Sequence, residues 1–199
     1  MFNYDDIQRN IHDWQRHNFG ETATWQCVLG IIEEVGEYSA SNPVMRCDIS
    51  VMACNNLMLD AIADAYIYMT SLCSIEGLKI SDIINSTPTT RGITPQSAAM
   101  AVGTLARVVL KRSQGIRGFN DDQFYKRELV HALVGVSTCL SGWFHNLSRI
   151  LETQPTNTHP YLYKNSAGKL FGLIRYVAMK VTTRDWVANP VDAHLKETP

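Results

Sequence analysis

The sequence predicts an all-α protein, a helical bundle, on three observations. Apolar residues recur at spacings of three to five along most of the chain, no stretch alternates with a period of two, and Gly- and Pro-containing stretches separate the periodic segments. The segment "YDDIQRNIHDWQRHNF" sets Ile7, Ile11, Trp14 and Phe19 on one stripe, with Asp5 and Asp6 near its start, where the helix dipole favours acids. "FGETATWQCVLGIIEEVGEYSA" follows, with Thr22 or Thr24 as its expected N-cap. A third helix is predicted over 51–75, through "NNLMLDAIADAYIYMTSL", with Gly77 placed to end it and "LKISDII" as a short helical coda. Beyond "NSTPTTRGITP", the expected linker, helices are predicted in "QSAAMAVGTLARVVLKR", "DQFYKRELVHALVGVSTCLSGWFHNLSRIL" and "AGKLFGLIRYVAMKV".

Composition narrows the partners. A net charge of -1 gives no electrostatic reason to expect nucleic acid or an anionic membrane. No apolar run approaches the length of a bilayer span and residues 1–10 hold no secretory core, so the expected location is the cytoplasm. Cys27, Cys47, Cys54, Cys73 and Cys139 are odd in number and form no CxxC pair, which reads as reduced, partly buried thiols.

The two halves read as copies of one helical unit. A shift of 70 residues lays the helix of "GIIEEVGEYSA" on "AVGTLARVVLK", and a shift of 71 lays "DAIADAYIYM" on "HALVGVSTCL". The expected organisation is a first repeat over 1–84, a linker over 85–95 and a second repeat with a terminal helix and tail over 96–199. Under these shifts Glu33, Glu34 and Glu37 fall opposite Gly103, Thr104 and Arg107, while Asp60 and Asp64 fall opposite His131 and Gly135. The second copy therefore lacks all five acids.

Those acids are the chain's main chemical signal. Residues three and four apart share a helix face, so Glu37 lies beside Glu33 and Glu34, and Asp60 lies beside Asp64. If the two helices pack antiparallel, up to five carboxylates converge, and in an apolar setting they repel and raise one another's pKa. A hard divalent cation, Mg²⁺ or Mn²⁺, resolves that conflict. A solvated acidic face is the plainer reading of any single carboxylate, but it explains Asp60 and Asp64 poorly, because "LMLDAIADAYIYM" is apolar on nearly every side. A di-iron bundle would pair its glutamates with histidines three residues on, and none of these acids is followed by one.

In this order and spacing, E-E-x-x-E followed by a helical aspartate, the chain resembles the MazG-like superfamily of all-α nucleoside triphosphate pyrophosphohydrolases, a group that also includes dimeric dUTPases. "DAIADAYIYM" is similar to that family's second metal helix, and "ARVVLKRSQGIRG", "WQRHNFG" and "RDWVANP" are similar to its flanking segments. One departure stands out. The usual second motif is E-x-x-D, whereas the residue three before Asp64 is Ala61 and the acid, Asp60, lies four before.

The resemblance implies a pseudo-dimer of two MazG-like repeats that hydrolyses a nucleoside triphosphate to the monophosphate and pyrophosphate. It implies Glu34, Glu37, Asp60 and Asp64 as ligands of Mg²⁺, with Mn²⁺ as a substitute, and Glu33 and Glu34 as catalytic groups. The degenerate repeat is expected to supply Lys111, Arg112 and Arg117 for phosphate, with Trp14, Asn18, Trp25 and Gln26 as base-pocket candidates. Trp186 is expected to clamp the last helix rather than meet substrate. Expected partners are the triphosphate and a second copy of the chain, a homodimer or a tetramer, with neither nucleic acid nor membrane. The alternative is a helical module that binds nucleotide, or another protein, without hydrolysis.

Overall fold

Each helix begins and ends where local chemistry satisfies the backbone. The computed structural model describes residues 3–41, 50–90, 93–152 and 169–188, and among these every regular element is helical. The order is α1 (Tyr4–Phe19), α2 (Thr24–Ala40), α3 (Val51–Ile75), α4 (Ile80–Asn85), α5 (Pro95–Ser113), α6 (Asp122–Glu152) and α7 (Lys169–Thr182). Asn3 and Asp6 close a capping box on α1, each side chain accepting from the other's backbone N–H. Ser50 and Thr94 cap α3 and α5 through their hydroxyl oxygens, and Pro95 fills the first turn of α5.

The start of α2 differs from expectation. Its cap position is Ala23, whose N–H is satisfied by Gln26 Oε1, and Thr24 is already helical. The Thr24 hydroxyl instead donates to Glu76 Oε1 at 2.6 Å, tying the first turn of α2 to the end of α3. Tyr125 of α6 donates to the same carboxylate oxygen at 2.9 Å, so one side chain fastens three helices. Gly77 ends α3 at φ 67°, a conformation that costs glycine little, and this lets Leu78 N–H reach back to the Cys73 carbonyl.

Helix α3 is apolar on nearly every side because it is the centre of the molecule. It packs against α1, α2, α4, α6 and α7. Two antiparallel hairpins, α2–α3 and α5–α6, lie side by side, with α2 against α5 and α3 against α6, while α1 meets α4. Between α3 and α6, the buried Tyr66 hydroxyl meets the Ser137 hydroxyl at 3.0 Å, and Thr87, beyond α4, donates to Ser137 at 2.7 Å. Tyr38 of α2 stacks on Trp143 of α6 with ring centroids 3.7 Å apart. Helix α7 follows the second hairpin in sequence but packs against α1 and α3, beside the first.

Four of the five cysteines, Cys27, Cys54, Cys73 and Cys139, are buried and free; Cys47 lies outside the described residues. Among the described residues no helix is long and apolar enough to cross a membrane.

Candidate functional site

The site is built on one stripe of α3 and the facing stripe of α2. Asp60, Asp64, Tyr68 and Ser71 follow one another at helical spacing on α3, and Glu33, Glu34 and Glu37 occupy α2. Gly30 sets how closely the stripes approach. A Cβ there would lie 2.5 Å from the Tyr68 ring, so only glycine lets that ring lie across α2, one turn before Glu34. Cys27, Val28, Ile31, Val35 and Tyr38 form the buried face of α2, and Glu34 shares that face, which carries it inward.

The other four sequence-predicted acids all bear on Glu34. Glu34 retains 9% of its surface, and burial together with the charges of Asp64, Glu37, Glu33 and Asp60 raises its carboxyl to about 9. Burial and Asp60 raise Asp64 to about 6, against the opposing pull of Lys180 and Arg184. Burial first, then Glu34, Glu33 and Asp64, push the Tyr68 phenol up to about 12. Glu33 and Glu37 lie at the exposed rim and Asp60 is half-buried. Carboxylates that cannot all ionise comfortably are what a divalent cation would relieve, so the donor chemistry, hard oxygens, suits Mg²⁺ or Mn²⁺. Among the described residues no three of these groups already form a ready ligand set.

Beside the acids opens a cavity of about 340 Å³, within the range of small-molecule sites. Glu34, Asp64, Tyr68 and Ser71 form its acidic side, Trp14, Phe19 and Trp186 supply an aromatic wall, and Arg184 also lines it. The wall belongs to α1 and to the turn after α7, joined by three polar contacts. Trp14 Nε1 donates to the Arg184 carbonyl at 2.8 Å, Trp186 N–H donates to Asn18 Oδ1 at 2.7 Å, and His17 lies 3.7 Å from the Asp185 carboxylate. Phe19 sits edge-on to both indoles, at 5.4 Å from Trp14 and 5.7 Å from Trp186.

The remaining predicted residues are distributed unevenly. Trp14 and Gln26 line the cavity. Asn18 does not; its amide is occupied, donating to the Trp14 carbonyl while accepting from Trp186. Trp25 is 56% exposed and lies outside the lining. Trp186 both fastens the segment after α7 and faces the cavity. Lys111, Arg112 and Arg117 sit at the far end of α5 and the turn beyond it, and none lines the cavity. Lys111 lies over the Phe119 ring, and Arg112 donates to the Phe119 carbonyl, pairs with Asp122 and covers the Tyr125 ring.

Tyr68, Arg184 and Lys180 were not among the predicted site residues. Tyr68 continues the four-residue ladder from Asp60 and Asp64, a signal present in the sequence. The two cations carried no such signal, because only the packing of α7 on α1 and α3 brings them to the acids. Comparison with models of known protein families, with curated proteins and with solved structures finds no match to the chain.

Proposed function

We propose that the chain is a divalent-cation-dependent nucleoside triphosphate pyrophosphohydrolase of MazG-like type, converting a nucleoside triphosphate and water to the monophosphate and pyrophosphate, in the manner of an enzyme that clears the nucleotide pool. The observation that carries this reading is one cavity lined by buried acids, an aromatic wall and an arginine. Those are the three needs of a nucleotide: a cation platform for phosphate, a surface for the base and a counter-charge.

Glu34, Glu37, Asp60 and Asp64 would hold Mg²⁺ or Mn²⁺. A bound divalent cation neutralises phosphate oxygens and lowers the pKa of water. Glu33, exposed on α2 and outside the cavity lining, would orient water and take its proton on a carboxylate oxygen as the new P–O bond forms and the bridging bond to pyrophosphate breaks. Arg184 serves as the phosphate counter-charge from within the lining, with Lys180 one turn before it on α7. Trp14, Phe19 and Trp186 offer ring faces and edges to a base, and Gln26 offers its amide N–H₂, since its oxygen is used by Ala23. Positioning and electrostatics supply most of the rate in such a site, without a covalent nucleophile.

The two-repeat organisation is part of the proposal. Its support is the pairing of α2 with α5 and of α3 with α6, each helix meeting its counterpart in a chain shifted by about 70 residues. Tyr66 and Ser137, which touch, are themselves counterparts 71 residues apart, as expected beside an internal two-fold axis.

Pyrophosphate release tests the reaction. A panel of ribo- and deoxyribonucleoside triphosphates is assayed with Mg²⁺ and with chelator, with the Glu34→Gln chain alongside. Metal-dependent release by the native chain alone is the expected result. No release from any triphosphate by the folded protein would overturn the reading in favour of a binding module.

A further inference from the structure

One hydroxyl in the cavity takes part in no hydrogen bond. Ser71 of α3 is 3% exposed, and its side chain has no partner among the described residues. Its neighbours on the helix behave differently. Thr70 donates to the Tyr66 carbonyl at 2.7 Å and Ser74 to the Thr70 carbonyl at 3.1 Å, the usual resort of a hydroxyl inside a helix. Ser71 makes no such bond, although the Ile67 carbonyl lies one turn back. Nor is its oxygen sealed in packing. Asn55 Nδ2 and His145 Nε2 are closed off without a partner, whereas Ser71 lines the cavity. A nearly buried hydroxyl without a protein partner takes one from whatever fills that cavity.

A second polar side chain is held in the same way. Gln15 of α1 is 8% exposed, lines the cavity, and bonds to no carbonyl among the described residues. Its amide lies against the Cys27 sulfur and favours the thiolate, so it donates there and leaves its oxygen uncommitted. Cys27 precedes Glu34 by seven residues on α2, Ser71 follows Asp64 by seven on α3, and Gly30 lies beside Tyr68 between them. Two turns of helix, about 10 Å, therefore separate the acids from a neutral polar end made by Ser71, Gln15 and Cys27. Glu21, the remaining acid of the lining, is exposed and its charge is met by Arg16 at 3.3 Å. Such a span runs from the α-phosphate of a nucleotide, across its sugar, to the far edge of its base.

Resting on the nucleotide reading above, we propose that Ser71 and Gln15 select the base. With the phosphates at the acids, an N–H on the edge of the base donates to Gln15 Oε1, and the group beside it pairs with the Ser71 hydroxyl, which donates or accepts. A triphosphate whose base lacks that N–H, or sets it elsewhere on the ring, leaves both side chains unpaired in a nearly closed space. That loss, more than any gain from the right base, is what discriminates.

The test reads binding apart from chemistry. Calorimetry with Mg²⁺ gives the affinities of the α,β-imido analogues of adenosine, guanosine, cytidine and uridine triphosphates, which cannot release pyrophosphate. The native, Ser71→Ala and Gln15→Met chains are compared, with inorganic tripolyphosphate as the control without a base. The native chain should favour one base by at least about tenfold, and each substitution should weaken that base by roughly tenfold and shrink its lead. Tripolyphosphate affinity should be unchanged. Ser71→Ala gives up no protein hydrogen bond, so its melting temperature without ligand should not fall. Equal native affinities for the four bases, a ranking that survives both substitutions, or an equal loss for tripolyphosphate overturns the proposal. A surviving ranking would mean that water alone satisfies Ser71. Pyrophosphate release from triphosphates without any base ranking overturns this proposal and spares the reaction. A base ranking among the analogues, without release from any triphosphate, overturns the reaction and spares the proposal. Absence of binding by every analogue overturns both.

Discussion

Helices α2 and α5 are each the first arm of an antiparallel hairpin, they pack against one another, and their surroundings could hardly differ more. At Glu34 the α2 backbone turns a carboxylate into a pocket already holding Asp64, and the site pushes that carboxyl to about 9. At the corresponding place α5 carries Thr104, exposed, its hydroxyl bonded only to the Met100 carbonyl one turn back. The second arms differ in the same way, with Asp64 on α3 matched by Gly135 on α6. Helix α7 widens the difference. It crosses to the first hairpin, narrows the space over Asp64 and brings Lys180 and Arg184 within electrostatic reach, while its turn closes the aromatic wall. The first hairpin carries a costly charge cluster under a cover, and the second carries the packing surface that supports it.

The largest test of that contrast is Glu34→Gln. It removes the most buried carboxylate of the cluster and should lower metal-dependent pyrophosphate release by at least about 10²-fold, since a lost ligand costs more than a lost supporting group. The same change should stabilise the metal-free protein. At pH 8 the native chain must either keep Glu34 protonated or bury its charge among others, and the amide relieves that by about 1–2 kcal/mol, or roughly 2–8 °C in Tm. Equal activity would break the comparison at its centre.

pH provides a second test through the same groups. Glu34 is raised to about 9 and Asp64 to about 6, both above their unfolded values, so the folded state binds more protons than the unfolded state between those limits. Their stabilising contribution is complete below the unfolded carboxyl range and is lost as pH rises through about 6 for Asp64 and about 9 for Glu34. Thermal melts of the chelated protein should therefore fall between pH 5 and roughly 9, and added Mg²⁺ should recover the most stability at the alkaline end. A flat profile in chelator would show that the acids do not share one field.

Much of this arrangement was legible before any coordinates. The bounds of α1 and α3 and the starts of α5 and α6 follow from apolar spacing, Pro95, Gly77 and the acids of the first turns, which are local signals. The acidic stripe was legible too, because a carboxylate inside "LMLDAIADAYIYM" has no cheap local explanation. What the sequence could not supply was long-range partnership. Thr24 reads as a cap by local rules, but Glu76, brought near by the hairpin, claims its hydroxyl. Asn18 and Trp25 both precede the glutamates in sequence, yet one ties down Trp186 and the other faces solvent. The basic run at 111–117 is conspicuous in sequence and lines no part of the cavity, whereas Arg184 lines it through the path of α7.

Glycine gives a finer test, because each hairpin places one at an instructive point. Gly30→Ala would drive a Cβ to 2.5 Å from the Tyr68 ring and should cost about 1–3 kcal/mol while displacing the stripe that carries Asp64. Chemical denaturation reads the cost, and the Michaelis constant for triphosphate should rise with it. Gly135→Ala, at the position matching Asp64, meets nothing within 4 Å and should instead gain about 0.5–1 kcal/mol from helix propensity. Opposite signs are expected from one chemical change, and equal signs would mean that close approach is not what distinguishes the hairpins.

The smallest expected effect is the most direct statement of the contrast. Thr104→Glu places on α5 the acid that α2 carries at Glu34. Thr104 is exposed, so the new carboxylate should stay hydrated and titrate in the ordinary range, and the loss of one hydroxyl bond to the helix's own backbone costs little. Stability should change by no more than about 0.5 kcal/mol, and pyrophosphate release should be unaltered. Comparing its pH–stability profile with that of the native chain then isolates burial from sequence. The same residue in matching helices should produce a large pH dependence in α2 and none in α5, because only α2 has Asp64 across from it and α7 above it. A pH-dependent loss of stability from Thr104→Glu as large as that assigned to Glu34 would mean that the α5–α6 face is also enclosed, and that the cover which separates the two hairpins extends over both.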